Sequence, residues 1–286
     1  MSSRYSWRRI GTFLAFTALF SSIFYALIIA TGHAGGARGG YAVGLMWCPG
    51  LAALLTARLF GMPLSSFGWG WGNGRWEIAS YLIPFGYVAA AYCLVYLLGF
   101  GSFPDPAYIA WSRKSLGWVS ASGTLVLCGE FAVVATTGLA TAMAHALGEE
   151  IGWRGFLAPQ MDAAFGFTTG ALLTGVIWAA WHLPILVFAD YNAGTPWWYG
   201  FGCFFTMVIA ISVIMAWLRL RSGSLWTGVV FHASHNLFIQ SFFTPATAAK
   251  GNITAYAIDE FGFAVPVAAM ACAVLVLVFQ RKSRMA

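Results

Sequence analysis

Charged side chains are scarce in this sequence. Only 8% of its 286 residues are Asp, Glu, Lys or Arg, whereas a soluble domain carries roughly 25%. Hydrophobic residues make up 60% of the chain, and the mean hydropathy is +0.75. This composition excludes an ordinary soluble domain and predicts an all-α protein that crosses a lipid bilayer several times.

Several other patterns are also missing. The net charge of +6 is scattered over loops, with no basic run interleaved with aromatics, so we expect no nucleic-acid partner. The five cysteines lie in apolar runs without a CxxC pair, so neither disulfides nor a cysteine metal site is expected. The zinc motif HExxH is absent. Since no long polar linker divides the chain, we predict one integral-membrane domain over residues 1–286.

Eight apolar runs are long enough to span a membrane as helices. Their predicted bounds are 10–31, 41–60, 78–100, 124–147, 167–189, 198–218, 225–244 and 262–280. With the N-terminus in the cytoplasm, eleven of the fifteen Lys and Arg residues lie on the cytoplasmic side. This bias follows the positive-inside rule. It predicts that both termini are cytoplasmic, in a bacterial-type cytoplasmic membrane.

Two adjacent carboxylates and an arginine follow the fourth apolar run, at Glu149, Glu150 and Arg154. Ionisable groups in membrane segments are costly, rare and usually functional. Glu150 and Arg154 are four residues apart, so a helix places them on one face, where they can pair. Glu149 lies about 100° further round the helix and is free to face other groups. We predict that Glu150 and Arg154 organise a site in which Glu149 performs the chemistry.

Two later runs carry polar groups at a matching depth. His182 and Glu149 are each 16 residues from the turn predicted at residues 165–166. His232 and Asn236, in the seventh run, are four apart and share one helical face. Three helices therefore bring these four side chains to one level, which we place in the cytoplasmic half of the bilayer.

This set of side chains suits water attack on a peptide carbonyl. A carboxylate and a histidine can serve one water molecule as general base and proton carrier. A second histidine and an asparagine amide can stabilise a developing oxyanion. Glu149, His182 and His232 are also a possible zinc ligand set with an open position, although we favour no metal cofactor.

Two functions other than a protease are compatible with the same polar cluster. One is a transporter that uses the cluster as an ion or proton site, although no internal repeat of the kind common in transporters is found. The other is a non-catalytic immunity or scaffold protein. His145 and His235 receive no catalytic role, since lone membrane histidines often hydrogen-bond across helices as packing residues. Glu130, a further acid nearer the outer end of the fourth run, is given no role.

The motifs resemble those of the CPBP intramembrane protease family, which includes type II CAAX prenyl endopeptidases and bacteriocin-immunity relatives. The resemblance rests on Glu149-Glu150-x-x-x-Arg154, on the aromatic residue four before His182, and on His232-x-x-x-Asn236. It covers about residues 124–244, which we take as the catalytic core.

The resemblance implies an eight-helix endopeptidase acting on membrane-associated proteins or peptides. In it, Glu149 and His182 activate water, while His232 and Asn236 form the oxyanion site. The aromatic residue here is Trp178, where the family more often has Phe; we expect this to alter substrate shape without abolishing catalysis. The family is often labelled metalloprotease, although a metal-free glutamate mechanism is also argued for it. The sequence defines neither the substrate nor the oligomeric state.

Overall fold

The computed structural model describes residues 3–33, 40–192 and 194–285, and helices form nearly all of its regular structure. The helices are α1 (Ser3–Thr31), α2 (Gly40–Leu59), α3 (Gly74–Leu97), α4 (Pro106–Leu116), α5 (Gly123–Phe165), α6 (Phe167–Phe188), α7 (Trp197–Ser222), α8 (Trp226–Asn236, continued by a π-helix Leu237–Phe243), α9 (Ile253–Ala257) and α10 (Ala264–Met285). A 3₁₀ turn covers Leu64–Phe67. Strands β1 (Gly101–Ser102) and β2 (Ala248–Ala249) pair antiparallel and join two connections at one end of the bundle.

Within the described ranges, seven helices are long and apolar enough to cross a bilayer, namely α1, α2, α3, α5, α6, α7 and α10. They coincide with seven of the eight predicted runs, which confirms an all-α integral-membrane protein. The remaining run, 225–244, is helical as α8, but its two histidines, an asparagine and a glutamine make it too polar to qualify. Because α8 packs among α3, α5 and α7, its two histidines are buried in protein, whereas the Gln240 side chain is exposed.

The orientation in the membrane stays a prediction, because it rests on counting basic residues. One of them, Arg38, lies outside the described residues, as do the side chains of Arg4, Lys282 and Arg284. The helix packing shows which helix ends lie on the same side of the bundle.

Helices α5 and α6 form a hairpin that turns at Gly166, as predicted. Gly166 has φ 75°, a backbone conformation that residues with a side chain rarely adopt. At 1.5 Å per residue, the 43 residues of α5 extend about 65 Å. A bilayer core is about 30 Å thick. An end of α5 therefore projects beyond the apolar layer.

Helices α2 and α5 pack backbone to backbone on both sides of the paired glutamates. A Cβ atom added at Gly148 would lie 2.7 Å from the Cα atom of Trp47, and one at Gly152 would lie 2.5 Å from Cβ of Pro49. Small residues four apart allow membrane helices to approach this closely. One face of α5 is thus committed to α2, and the intervening glutamates point toward α6 and α8.

Two π-helical stretches directly follow the polar motifs. Ile151–Leu157 begins after Glu150, and Leu237–Phe243 begins after Asn236. A π turn adds a residue to the helical repeat, rotates the next turn of the helix, and is frequent at functional sites. The hydrophobic pattern predicted a regular helix over 225–244, ended the fourth run at 147, and gave no sign of either irregularity.

Candidate active site

A cavity of about 200 Å³ lies inside the bundle. Its lining includes all four side chains predicted to perform the chemistry, namely Glu149, His182, His232 and Asn236. They come from α5, α6 and α8, the three helices expected from the spacing. The other walls are mainly aromatic and aliphatic side chains, and no Lys or Arg of the described chain lines the cavity. The structure therefore brings the four residues together, while their roles stay predictions.

Glu149 is buried, with 2% of its surface exposed, and is held by two indole groups. Its Oε2 atom accepts a hydrogen bond from Nε1 of Trp178 at 2.7 Å and another from Nε1 of Trp153 at 3.1 Å. No described residue donates a hydrogen bond to Oε1. Trp178, for which only an effect on substrate shape was expected, thus also holds the Glu149 carboxylate. Trp153 was missed, although its position four residues after Glu149 places both on one helical face.

Glu150 is fully buried and joins two partners through one oxygen atom. Its Oε1 lies 2.9 Å from Nη1 of Arg154 and 2.9 Å from Nδ1 of His232. The predicted pairing with Arg154 is confirmed, whereas the bond to His232 was not predicted. Arg154 is also fully buried, with Nη2 2.9 Å from Sδ of Met215 and the guanidinium 4.1 Å from the ring centre of Trp178. This network fixes the orientation of the His232 ring.

His182 lies at a break in α6, between the segments Phe167–Trp181 and Leu183–Phe188. The break agrees with the presence of Pro184, which is expected to open the helix here. The Nδ1 atom of His182 lies 2.9 Å from the carbonyl oxygen of Trp178. Because a carbonyl only accepts, Nδ1 carries the proton and a neutral ring leaves Nε2 as an acceptor. The ring is packed by Phe204, 4.9 Å away, and by Tyr191, 6.2 Å away.

His232 and Asn236 occupy successive turns of α8 on the cavity side. Since Nδ1 of His232 is directed to the Glu150 carboxylate, Nε2 lies on the opposite edge of the ring. A doubly protonated His232 would pair with Glu150 and keep its Nε2–H for another acceptor. Asn236 is half-buried in the cavity lining. The pair therefore offers hydrogen-bond donors of the kind an oxyanion requires.

The three residues left without a role lie in different surroundings. His145 is exposed on α5 and does not line the cavity. Glu130 is buried outside the cavity. His235 is buried in the cavity wall, with Nδ1 hydrogen-bonded to the hydroxyl of Tyr87. Sequence reasoning missed a further cavity acid, Glu260, because it lies in a connection between helices.

The possible zinc set can be compared with the observed donors. Throughout the described part of the chain, no three His, Cys, Asp or Glu side chains are grouped so as to hold a metal ion. Oε2 of Glu149 and Nδ1 of both His182 and His232 are already bonded to protein groups. These bonds leave Oε1 of Glu149 and Nε2 of both histidines for another partner, and a metal-binding histidine commonly donates its second ring N–H in this way, so the hydrogen bonds are compatible with zinc as well as with a metal-free site.

The cavity extends toward the end of the bundle opposite the N-terminus of α1. It is lined by Ile28 near the C-terminal end of α1, by Ala42 near the start of α2, and by Tyr191 in the α6–α7 connection. The sequence predicted a cytoplasmic N-terminus together with a site open toward the cytoplasmic half. These two expectations are incompatible in this bundle. Depth had been measured from the α5–α6 turn, which gives no information on the side to which the cavity extends.

Comparison with known proteins finds a family model that is similar to the segment containing the polar motifs. Residues 131–238 match the family model described as type II CAAX prenyl endopeptidase, Rce1-like. The matched segment is similar to this family and makes up less than half of the chain. The match confirms the resemblance seen in the sequence and includes Glu149, Glu150, Arg154, His182, His232 and Asn236.

One curated relative supports the same assignment. A stretch of 96 residues is 27% identical to CAAX prenyl protease 2 of Methanococcus maripaludis. It covers 31% of this chain and 34% of that protein. The similarity to the family model therefore concerns the segment that supplies the four predicted catalytic residues, and the chain matches only about a third of the relative's length.

Proposed function

We propose that this protein is an intramembrane endopeptidase that hydrolyses a peptide bond with water activated by Glu149 and His182. The observation that carries the proposal is the convergence of Glu149, His182, His232 and Asn236 on one buried cavity. Similarity of the segment that contains them to the family model supports the same reaction class.

The reaction begins with a water molecule bound between Oε1 of Glu149 and Nε2 of His182. The indole bonds engage Oε2 of Glu149, so Oε1 can accept a proton from this water while its oxygen attacks the carbonyl carbon. The carbonyl π bond opens and leaves a tetrahedral oxyanion. Nε2–H of His232 and the amide of Asn236 donate hydrogen bonds to that oxyanion.

Collapse of the intermediate completes the hydrolysis. The carbonyl re-forms, the C–N bond breaks, and the proton taken from water passes to the leaving nitrogen through Glu149 or His182. The products are a carboxylic acid and an amine. Glu150 and Arg154 do not touch the substrate in this scheme; they orient His232 and balance its charge.

We propose a membrane-associated protein or peptide as the substrate, because the cavity is enclosed by membrane helices. The relative from Methanococcus is named for CAAX prenyl substrates. Cleavage of the same peptide with and without a prenyl group would test whether the present chain requires this group on its substrate.

The direct test compares cleavage by purified wild-type protein with that by Glu149→Gln and His182→Ala. Each substitution is expected to abolish cleavage while the protein stays monodisperse with an unchanged melting temperature. Glu130→Gln is the matched control, since Glu130 is also buried but lies outside the cavity. Full activity of either site variant would contradict the proposal.

The same samples test the zinc alternative and the non-catalytic alternatives. Metal-independent chemistry predicts chelator-resistant cleavage and no stoichiometric metal that depends on Glu149. Stoichiometric zinc lost in Glu149→Gln would instead make Glu149 a ligand. Ion flux in proteoliposomes that depends on Glu149, without cleavage, would favour a transporter.

For orientation, we propose that the N-terminus is cytoplasmic in a bacterial-type cytoplasmic membrane, as the charge bias indicates. The cavity then opens in the outer half, near Gln240, the exposed member of its lining. A Gln240→Cys variant without the five native cysteines should react with a membrane-impermeant thiol reagent added from outside. Labelling from the cytoplasmic side alone would reverse this orientation.

A further inference from the structure

Glu260 is a second acid in the wall of the cavity that contains Glu149. It is 3% exposed and belongs to the connection between α9 and α10. It lies outside residues 131–238, the segment matched to the family. The proposed steps of peptide hydrolysis make no use of it.

The backbone around Glu260 is anchored so that the side chain points inward. Asp259 has φ 67°, which is uncommon for a residue with a side chain. The backbone N–H of Glu260 donates to Oδ1 of Asp259 at 2.7 Å, and the N–H of Asp259 donates to the Tyr92 hydroxyl at 3.1 Å. On the other side, the ring of Phe261 stacks 5.6 Å from Phe204, which also lines the cavity. The segment is therefore fixed on both sides of the carboxyl group.

The partners of the Glu260 carboxyl group are neutral or distant, and the hydroxyl of Tyr191 is one of the neutral partners. Its Oε1 accepts a hydrogen bond from Nε2 of Gln240 at 3.2 Å. Nε2 of His235 lies 3.6 Å from the same oxygen, which is too far for a hydrogen bond. That histidine nitrogen is buried and has no hydrogen-bond partner among the described residues. Because no described Lys or Arg lines the cavity, the protein supplies Glu260 with no permanent cation there.

We propose that Glu260, with Gln240 and His235, forms a subsite for a cationic group of the substrate. A Lys or Arg side chain near the scissile bond, or a free amine, has the required chemistry. Burying the ionised carboxylate without a cation is costly, so a bound ammonium or guanidinium group would supply the missing partner and favour the ionised form of Glu260. Two acids in one cavity also disfavour a substrate carboxylate. This subsite rests on the proposed peptidase function for its substrate, although binding of a cationic peptide does not require cleavage.

The test uses peptides that differ at one position, which carries Lys, norleucine or Glu and is moved through the residues flanking the scissile bond. Norleucine has nearly the length of Lys without its charge. Wild-type protein should show kcat/KM for Lys over norleucine of about ten-fold or more at one position, as expected for one charge-assisted hydrogen bond. Glu260→Gln should bring this ratio close to one, while Glu130→Gln should preserve it.

A binding measurement separates failure of the subsite from failure of the proposed function. Glu149→Gln protein would be titrated with fluorescent Lys, norleucine and Glu peptides, with and without Glu260→Gln. Lys-selective binding that depends on Glu260, without cleavage by the wild type, would support the proposed subsite and contradict the proposed peptidase function. Cleavage by the wild type without preference among the three peptides would keep the peptidase and overturn the subsite. If Glu260→Gln fails to fold, the wild-type comparison of Lys with Glu decides, and equal rates refute the subsite.

Discussion

The buried pair Glu150–Arg154 gives the sharpest test of how the site is held together. We expect Glu150→Gln and Arg154→Met each to lower the free energy of unfolding by about 3–5 kcal/mol, the cost of leaving one buried charge unpaired. Both side chains are fully buried, and the joining distance is 2.9 Å.

The other neighbours of Arg154 cannot compensate its charge when Glu150 is removed. Nη2 meets only the sulfur of Met215, a weak acceptor, and Nε is buried without a partner in the described chain. The ring of Trp178, 4.1 Å from the guanidinium, adds about 2 kcal/mol as a desolvated cation–π contact. Neither neighbour supplies a negative charge.

The double variant Glu150→Gln/Arg154→Met should therefore lose less stability than the two single losses added together. We expect a coupling energy of about 2–3 kcal/mol, within the range for residues in one buried network. Equilibrium unfolding in detergent would measure it. Additive losses, with a coupling below about 0.5 kcal/mol, would refute the argument that each charge depends on the other.

Cleavage by the double variant separates positioning from stability. The glutamine introduced by Glu150→Gln would give His232 only a neutral acceptor in place of the carboxylate that now lies 2.9 Å from its Nδ1. We expect kcat to stay at least about ten-fold below wild type even where stability is partly restored, since a charge-assisted bond is about twice as strong as a neutral one. Wild-type kcat in a well-folded double variant would show that His232 needs no support from Glu150.

Three further substitutions test other parts of the structure. Trp178→Phe removes the 2.7 Å hydrogen bond to Glu149. We expect kcat/KM to fall about 10- to 100-fold in a peptidase assay, as for the loss of one hydrogen bond of ~1.5–3 kcal/mol to a charged group. An unchanged kcat/KM would show that this hydrogen bond does not contribute to catalysis. Gly152→Leu forces side-chain atoms into the backbone of α2 and should lower the free energy of unfolding by at least about 1–3 kcal/mol. Gly86→Ala, with open space around it, should be neutral or slightly stabilising. Equal effects of the two substitutions on unfolding would contradict the close contact between α2 and α5. Burial and the neighbouring Asp259 raise the pKa of Glu260, so its protonated form favours folding, and this contribution is lost as the pH rises through that pKa. Glu260→Gln should therefore raise the melting temperature relative to wild type more at about pH 9 than at about pH 6. A difference in melting temperature that does not change with pH would refute this prediction.

The features that the sequence predicted correctly depend on residue spacing along the chain. Seven spans, the turn at Gly166 and the Glu150–Arg154 pair follow from runs of apolar residues and from the i, i+4 rule. The meeting of Glu149 with His182 could be predicted because both are equally far from one turn. These arguments need no knowledge of how side chains rotate.

The features that were missed depend on rotamers and on connections between helices. Nothing in the spacing shows that the Trp178 indole nitrogen points at Glu149, or that His232 turns its Nδ1 to Glu150. Glu260 lies outside every helix that the hydrophobic pattern defines, yet the fold brings it to the cavity. The side to which the cavity extends likewise depends on how α1, α2 and α7 close around it.

One physical requirement connects these observations. Polar groups buried in a membrane protein need partners, and a catalytic group must keep one atom free for the substrate. Here Glu149 is held through Oε2, His182 through Nδ1 and His232 through Nδ1. Each has a second polar atom that is not used in those bonds. The tight contact of α2 with Gly148 and Gly152 contributes to this arrangement. Because α2 occupies that face of α5, the two glutamates between these glycines point toward α6 and α8.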